Sequence, residues 1–510
     1  MRRLNGLLMC WACFSALLFP HFVSAQTNDT SPNSGASPTP GGAAIANYAD
    51  LIRLIESTVN VDGWQSAGGN STMMEFRNGV KINADGLIER FEASKIISTE
   101  VHSPTISQTP ALVSLESLGD WQKPTSLRWV SLSELDRQLT ERKQDRASAA
   151  MEMLGGLYRI DYVAYDSVSK GWFLGGPSGS LVLTKSGDIL NSETNLPPVL
   201  LEDLLTLAPH ILGDKGEFGC SIDPDPKRLV ESNRLVSTSA AMKSLARNPD
   251  RWVEGWRKSL GHQNAKVVGI PQDSPTGYAL LIADAHMKRL AFDLEFRPLG
   301  LNSYWQEVET FGQSRSEMGL VRWWFSLSDH KIPMDPERSI YHLASSNVQV
   351  ESEAQMLNDQ GKQVVSPTSD PAADAYARSF TRNFAKLQRE HPCFGRLRHI
   401  FDLSVALEIV KLEMEQGKGM PLNFLSNELV QPHMTTAPKA IDSIASTHAM
   451  PNGTITAVIS GGVSIHLKQL RSRVKRDRQS LRSVSFEESQ NNVDTTLSNS
   501  GNGLEAPFWR

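Results

Sequence analysis

Alternating strand-like and helix-like stretches between residues 128 and 415 predict an α+β fold, with a mixed α/β arrangement as the alternative. Three observations carry this. Stretches of period-two alternation, such as 157–165, give way to stretches with helical spacing, such as 371–390. Turn and cap residues (Gly155-Gly156, Pro197-Pro198, Pro249, Gly261) fall between them. The 510 residues are 40% hydrophobic and 21% charged, enough apolar content for a buried core.

Residues 1–25 read as a secretory signal peptide. Arg2 and Arg3 supply its positive start, an apolar run spans 7–19, and Val23-Ser24-Ala25 supplies the small residues for cleavage near Ala25. The run is short for a membrane span, and no transmembrane helix is expected in the mature chain. Export to the periplasm or beyond is the expected localisation. Cys10 and Cys13 leave with the signal, so Cys220 and Cys393 remain, as a disulfide or as buried thiols. Losing Arg2 and Arg3 moves the net charge from −5 to −7, which argues against specific nucleic-acid binding.

A Ser/Pro/Gly/Asn-rich spacer is expected over 26–44. A small module over 45–92 should combine a helix (Tyr48, Leu51, Ile52 and Ile55 on one face), a turn around Trp64, and a hairpin of 79–83 with 87–91. A connector follows over 93–127. The central mixed α/β domain is placed at 128–415. Its first helix starts at Ser131 or Ser133 and runs to Leu154. A three-stranded meander (157–165, 172–175, 180–184) and a helix from Val199 come next. Gly175-Gly176-Pro177-Ser178-Gly179 has the wrong spacing for a nucleophile elbow and is expected to turn between strands.

Residues 220–226 read as a Pro-spaced turn capping a helix from Lys227, and Pro249 opens another helix with Trp252, Trp256 and Leu260 on one face. A strand at 267–270 precedes a packed amphipathic helix, in which Tyr278, Leu281, Ile282, Ala285, Arg289 and Phe292 recur at helical spacing. Strands at 320–327 and 346–351 and helices at 371–390 and 400–415 complete the domain. A C-terminal extension over 416–467 should end in a hairpin of 453–459 and 463–467 around Gly461-Gly462. Residues 468–510 read as a disordered tail whose basic block (468–482) could hold an envelope protein or an anionic polymer.

The chain contains no H-E-x-x-H, no phosphate-binding Gly-rich loop and no G-x-S-x-G. Asp223 and Asp225 could form a carboxylate pair for acid–base work, but Asp is also the usual helix cap. Asp284 and Lys288 are i,i+4 partners on a helix. His286 is a candidate general base, and with Arg289 it leaves a polar edge. No metal-ligand set is apparent, because His286 would need further ligands from elsewhere. No cofactor is expected. Arg322 with Trp323 or Trp324 could clamp a sugar or an anion, and alternation along a strand puts at least one of the two indoles in the core.

Several segments together resemble a known family. They are Asp50-Leu51-Ile52-Arg53-Leu54-Ile55 with Gly63-Trp64, Cys220-Ser221-Ile222-Asp223-Pro224, Ala283 to Ala291 (including Met287-Lys288-Arg289-Leu290), Arg322-Trp323-Trp324-Phe325, and Phe401-Asp402-Leu403-Ser404-Val405-Ala406. This set resembles a domain-of-unknown-function family of exported planctomycete proteins, over about residues 45–467. The resemblance implies an exported protein of an envelope-rich bacterium and supplies no activity and no catalytic residue. The resulting expectation is a non-enzymatic, envelope-associated interaction or scaffold protein. A hydrolase with a site near Asp223, Asp284 and His286 is the alternative, and a glycan-binding protein using Arg322 with Trp323 or Trp324 is a weaker one; Arg289 is a further binding candidate.

Overall fold

The computed structural model describes residues 120–477 with short interruptions, residues 507–509, and the pair Thr72–Phe76 and Gly79–Asn83. The expected signal peptide, spacer, leading helix and strand 87–91 lie outside the described residues.

In chain order, β1 (Thr72–Phe76) and β2 (Gly79–Asn83) precede β3 (Thr125–Ser131), α1 (Leu132–Arg142), α2 (Ala149–Glu152), β4 (Tyr162–Asp166), β5 (Gly171–Ser178), β6 (Leu181–Leu183) and β7 (Ile189–Asn191). Helix α3 (Leu201–Leu212) leads to β8 (Phe218–Pro224), α4 (Pro226–Val236), α5 (Pro249–Leu260), β9 (His262–Val268), α6 (Pro275–Ala291) and α7 (Tyr304–Phe311). Then come β10 (Gly319–Leu327), β11 (Ile332–Met334), β12 (Ile340–His342), β13 (Val348–Leu357), β14 (Gln363–Val365), α8 (Pro371–Glu390) and α9 (Pro392–Met414). The last elements are β15 (Ala440–Asp442), β16 (Ala445–Met450), β17 (Gly453–Ile465), α10 (Leu470–Arg473) and β18 (Val474–Arg476).

The fold is α+β. The larger sheet has the order β14-β13-β10-β17-β8-β9-β15, with β16 also paired to β17. Only β10 and β17 run parallel in it. A second sheet has the order β18-β11-β12-β4-β5-β3. One face of the larger sheet is covered by helices. Helix α6 packs on β8, β9, β10 and β17, and α9 and α3 pack on its far side. Helix α8 covers β13 and touches α9.

Local chemistry sets the helix starts. Ser274 accepts from the Gly277 N–H at 3.0 Å and Pro275 opens α6, while Asn248 and Asp370 do the same for α5 and α8. Ser131 Oγ accepts from the Glu134 N–H and starts α1 as expected. The expected single helix to Leu154 is instead divided. Ser148 starts α2, and left-handed Leu154, Gly155 and Gly156 end the run.

Residues 79–83 form a strand as expected and pair with Thr72–Phe76, while the expected partner 87–91 lies outside the described residues. Other strand expectations need correction. The expected connector already contains β3 from Thr125. The third meander strand, β6, pairs with β7 in a separate sheet. Gly175 to Ser178 extend β5 rather than turn, and a Cβ at Gly176 would lie 2.0 Å from Arg159 O. Residues 220–224 are strand, not turn, and 453–465 form one continuous strand paired with β16, β10 and β8. Here Gly461 and Gly462 serve close approach. A Cβ at either would lie 2.0 Å from a neighbouring carbonyl oxygen, Trp323 O or Cys220 O.

The expected tail is ordered where it is described. Residues 470–476 form α10 and β18, with Arg473 buried and donating to His330 O at 2.9 Å. Phe508 is also buried, and its carbonyl accepts from the Ser131 N–H at 2.8 Å at the edge of the second sheet.

The expected amphipathic helix is in fact enclosed all round. Every residue of α6 except His286 is buried. It tolerates this because its buried charges are paired, Asp284 with Lys288 inside the helix and Arg289 with Glu295 just beyond it. Lys288 Nζ lies 2.6 Å from Asp284 Oδ2, with both side chains fully buried, and Nζ also donates to Ile222 O at 3.2 Å. Burial raises the Asp284 carboxyl above its usual range, and the Lys288 charge works against that rise. Gly461 makes the room, since its Cβ would approach Asp284 Oδ1 to 2.9 Å.

Four outcomes are expected. Lys288→Met strands a buried carboxylate and should cost about 3–5 kcal/mol, whereas Asp284→Leu with Lys288→Met should recover much of the loss. Urea unfolding of both single variants and the double variant checks this, and additive losses would refute it. By the same assay Gly461→Ala should lose at least ~2 kcal/mol through overpacking. Gly255→Ala, in α5 with nothing within 4 Å of its Cβ, should gain about 0.5–1 kcal/mol.

The fourth outcome concerns pH. Burial, helped by the Glu202 charge, pushes the Glu152 carboxyl from 4.5 up to about 8. Its folded pKa is raised, so its stability contribution is lost as pH climbs from 4.5 to 8. Glu152→Gln should therefore gain about 1–3 kcal/mol on the parent between pH 5 and pH 8, allowing for partial exposure. A constant difference across that range would refute the assignment.

Candidate functional site

The face of the larger sheet opposite α6 is only partly covered. Alternation along β10 sends Val321, Trp323 and Phe325 into the core and Leu320, Arg322, Trp324 and Ser326 to the other side. Helices α4 and α5 cover one end of that side, where Leu229, Trp256 and Leu260 pack with Leu320 and Val458. From Arg322 onward the face opens into a groove of about 300 Å³, lined by residues that include Ser221, Arg322, Trp324, Glu353, Gly462 and Ser464.

Strand register explains the composition of the groove. Trp324 lies opposite Gly462 on β17 and Glu351 on β13, and Gly462 lies opposite Ser221 on β8. Ser326 lies opposite Ser464, which lies opposite Gly219. The half-buried indole of Trp324 therefore borders a floor of glycine and serine. Arg322 faces Glu353 on one side, and on the other it reaches past β17 to donate from Nη1 to Asp223 Oδ1 at 2.9 Å. That pair is about one-third exposed, so its guanidinium and carboxylate remain reachable from solvent.

The other expected site residues separate. Trp323 is fully buried and donates Nε1–H to Ala373 O at 3.1 Å, packing on Tyr304 and Tyr376. Asp225 caps α4, accepting from the N–H groups of Lys227 and Arg228 at 3.0 Å each. Cys220 and Cys393 form no disulfide, and burial pushes the Cys220 thiol well up. Asp284 lies under the sheet with Lys288, while Asp223 projects from its other face. His286 points to a third place, with Nδ1 2.7 Å from Glu295 Oε2. Asp223, Asp284 and His286 do not converge on one pocket, so this geometry supplies no hydrolytic site built from the three.

Around His286 the structure gathers partners that the sequence reading did not identify. Arg289 Nε donates to Glu295 Oε1, and His391 Nε2–H donates to Phe296 O at 3.2 Å. Burial raises the Glu295 carboxyl, but the hydrogen bonds and charges of His286 and Arg289 outweigh it, so the group sits below its usual range. Burial lowers the His391 imidazole. Ligand atoms of His286, Glu295 and His391 all lie within 4.8 Å of one another, the one set of this kind among the described residues. Signals for the two missed residues existed: Glu295 stands four residues after the last residue of α6, and His391 precedes a helix-opening proline.

No described helix is long and apolar enough to cross a membrane. No curated protein and no solved structure matches this chain. Residues 220–304 match a family model described as protein of unknown function (DUF1598). The match takes in most of β8 and all of α6, which carries the buried ion pair, but ends before Arg322-Trp323-Trp324-Phe325 and before β17.

Proposed function

We propose that the protein is an exported, non-enzymatic binding protein of the cell envelope that holds a glycan in the groove of the larger sheet. The carrying observation is the Trp324 indole set beside a floor of glycine and serine, with Arg322 and Glu353 at its edge. A sugar ring has an apolar face and a rim of hydroxyls. A flat indole takes the first, and a guanidinium donor with carboxylate and hydroxyl acceptors takes the second. The groove is small and open, which suits one or two sugar units of a longer polymer. Export rests on the N-terminal run ending at Ala25. The cations Lys468, Arg471, Lys475 and Arg476 are exposed and offer a second, salt-sensitive contact to an anionic envelope polymer.

Sedimentation of the mature chain with insoluble polysaccharides (peptidoglycan, chitin, cellulose) tests the reading. At least one should retain the parent, and Trp324→Ala should bind it about tenfold or more weakly. Retention of Trp324→Ala equal to the parent, or no retention of the parent by any polymer, would contradict the proposal.

A further inference from the structure

We propose that His286, Glu295 and His391 form a binding site for a single divalent cation of the zinc class. Three features beyond proximity support it. First, the donor set of two imidazoles and one carboxylate is nitrogen–oxygen chemistry that suits zinc and leaves a coordination position for water. Second, the groups are held by outer partners. Phe296 O can only accept, so His391 Nε2 carries the proton and Nδ1 keeps the lone pair. Arg289 occupies Glu295 Oε1, which fixes the carboxylate while Oε2 faces His286.

Third, the three ligands come from separate pieces of chain. His286 is the one residue of α6 that is not buried, Glu295 lies in the segment after α6, and His391 joins α8 to α9. The side chains of His286 and Glu295 are 20% and 12% exposed, shielded yet accessible to an ion. A cation here would tie the end of α6 to the α8–α9 joint, with ligand shifts of about an ångström from the present spacing. Its entry would release to solvent any proton held between His286 Nδ1 and Glu295 Oε2. The site lies apart from the Trp324 groove and does not depend on the glycan reading.

The test uses the full mature chain, stripped with a chelator and dialysed. Zn²⁺ alone is titrated against a chromophoric competitor, and Co²⁺ is used as an absorbing substitute. The expected result is about one equivalent bound, with Co²⁺ bands of low coordination number. His391→Asn and Glu295→Gln should each weaken binding about tenfold or more and remove those bands, with circular dichroism showing that both variants remain folded. His448→Asn, which alters a histidine paired with Glu309 elsewhere, should bind as the parent does. Less than about a tenth of an equivalent bound at micromolar Zn²⁺, or parental affinity in both site variants, would overturn the proposal.

Discussion

The ion pair of Asp284 and Lys288 is sealed between α6 and the middle strands of the larger sheet, and the neighbouring elements are arranged around it. Charges without water are costly, so such a pair persists only with tight geometry and extra hydrogen bonds. The Lys288 contact to Ile222 O supplies one, and the missing side chain at Gly461 supplies the space. The pair also sets the depth of α6, because the helix must sit close enough to β8 for the ammonium to reach a strand carbonyl. Next along β17, Gly462 forms part of the floor of the open groove. The two adjacent glycines thus link what is buried on one side of the sheet to what is exposed on the other.

That arrangement separates two polar systems that look continuous in the sequence. Asp284, His286, Lys288 and Arg289 lie within six residues of one another, yet Asp284 and Lys288 neutralise each other under the sheet while His286 and Arg289 converge on Glu295. Asp223, beside the buried Ile222, belongs to neither group and holds Arg322 in the groove. The helix carries charge on several sides and stays buried because each charge described here has a partner.

Much of the fold was legible from short-range chemistry. The proline start at Pro249 and the helical spacing of 371–390 mark real helices, and alternation correctly assigns one of Trp323 and Trp324 to the core. What failed depends on partners far along the chain. Gly461 and Gly462 read as a turn because a glycine pair usually is one, and only the neighbouring strands reveal them as close-approach positions. Residues 220–226 read as a turn because their two prolines and two aspartates outweighed an apolar pattern over 220–224 that β17 and β9 stabilise on either side. Arg322 and Asp223 are 99 residues apart, and His391 lies 95 residues beyond the carbonyl it holds. Local pattern does not contain such pairings.

Backbone hydrogen exchange of the chain, with and without a soluble oligosaccharide cut from any polymer that retains it in sedimentation, decides whether the sheet face around Trp324 is a binding surface. Added protection is expected along β10 from Leu320 to Ser326 and along β17 from Ser460 to Ser464, with the already buried amides of α6 unchanged. Protection confined to other surfaces, with these strands unaffected, would contradict it.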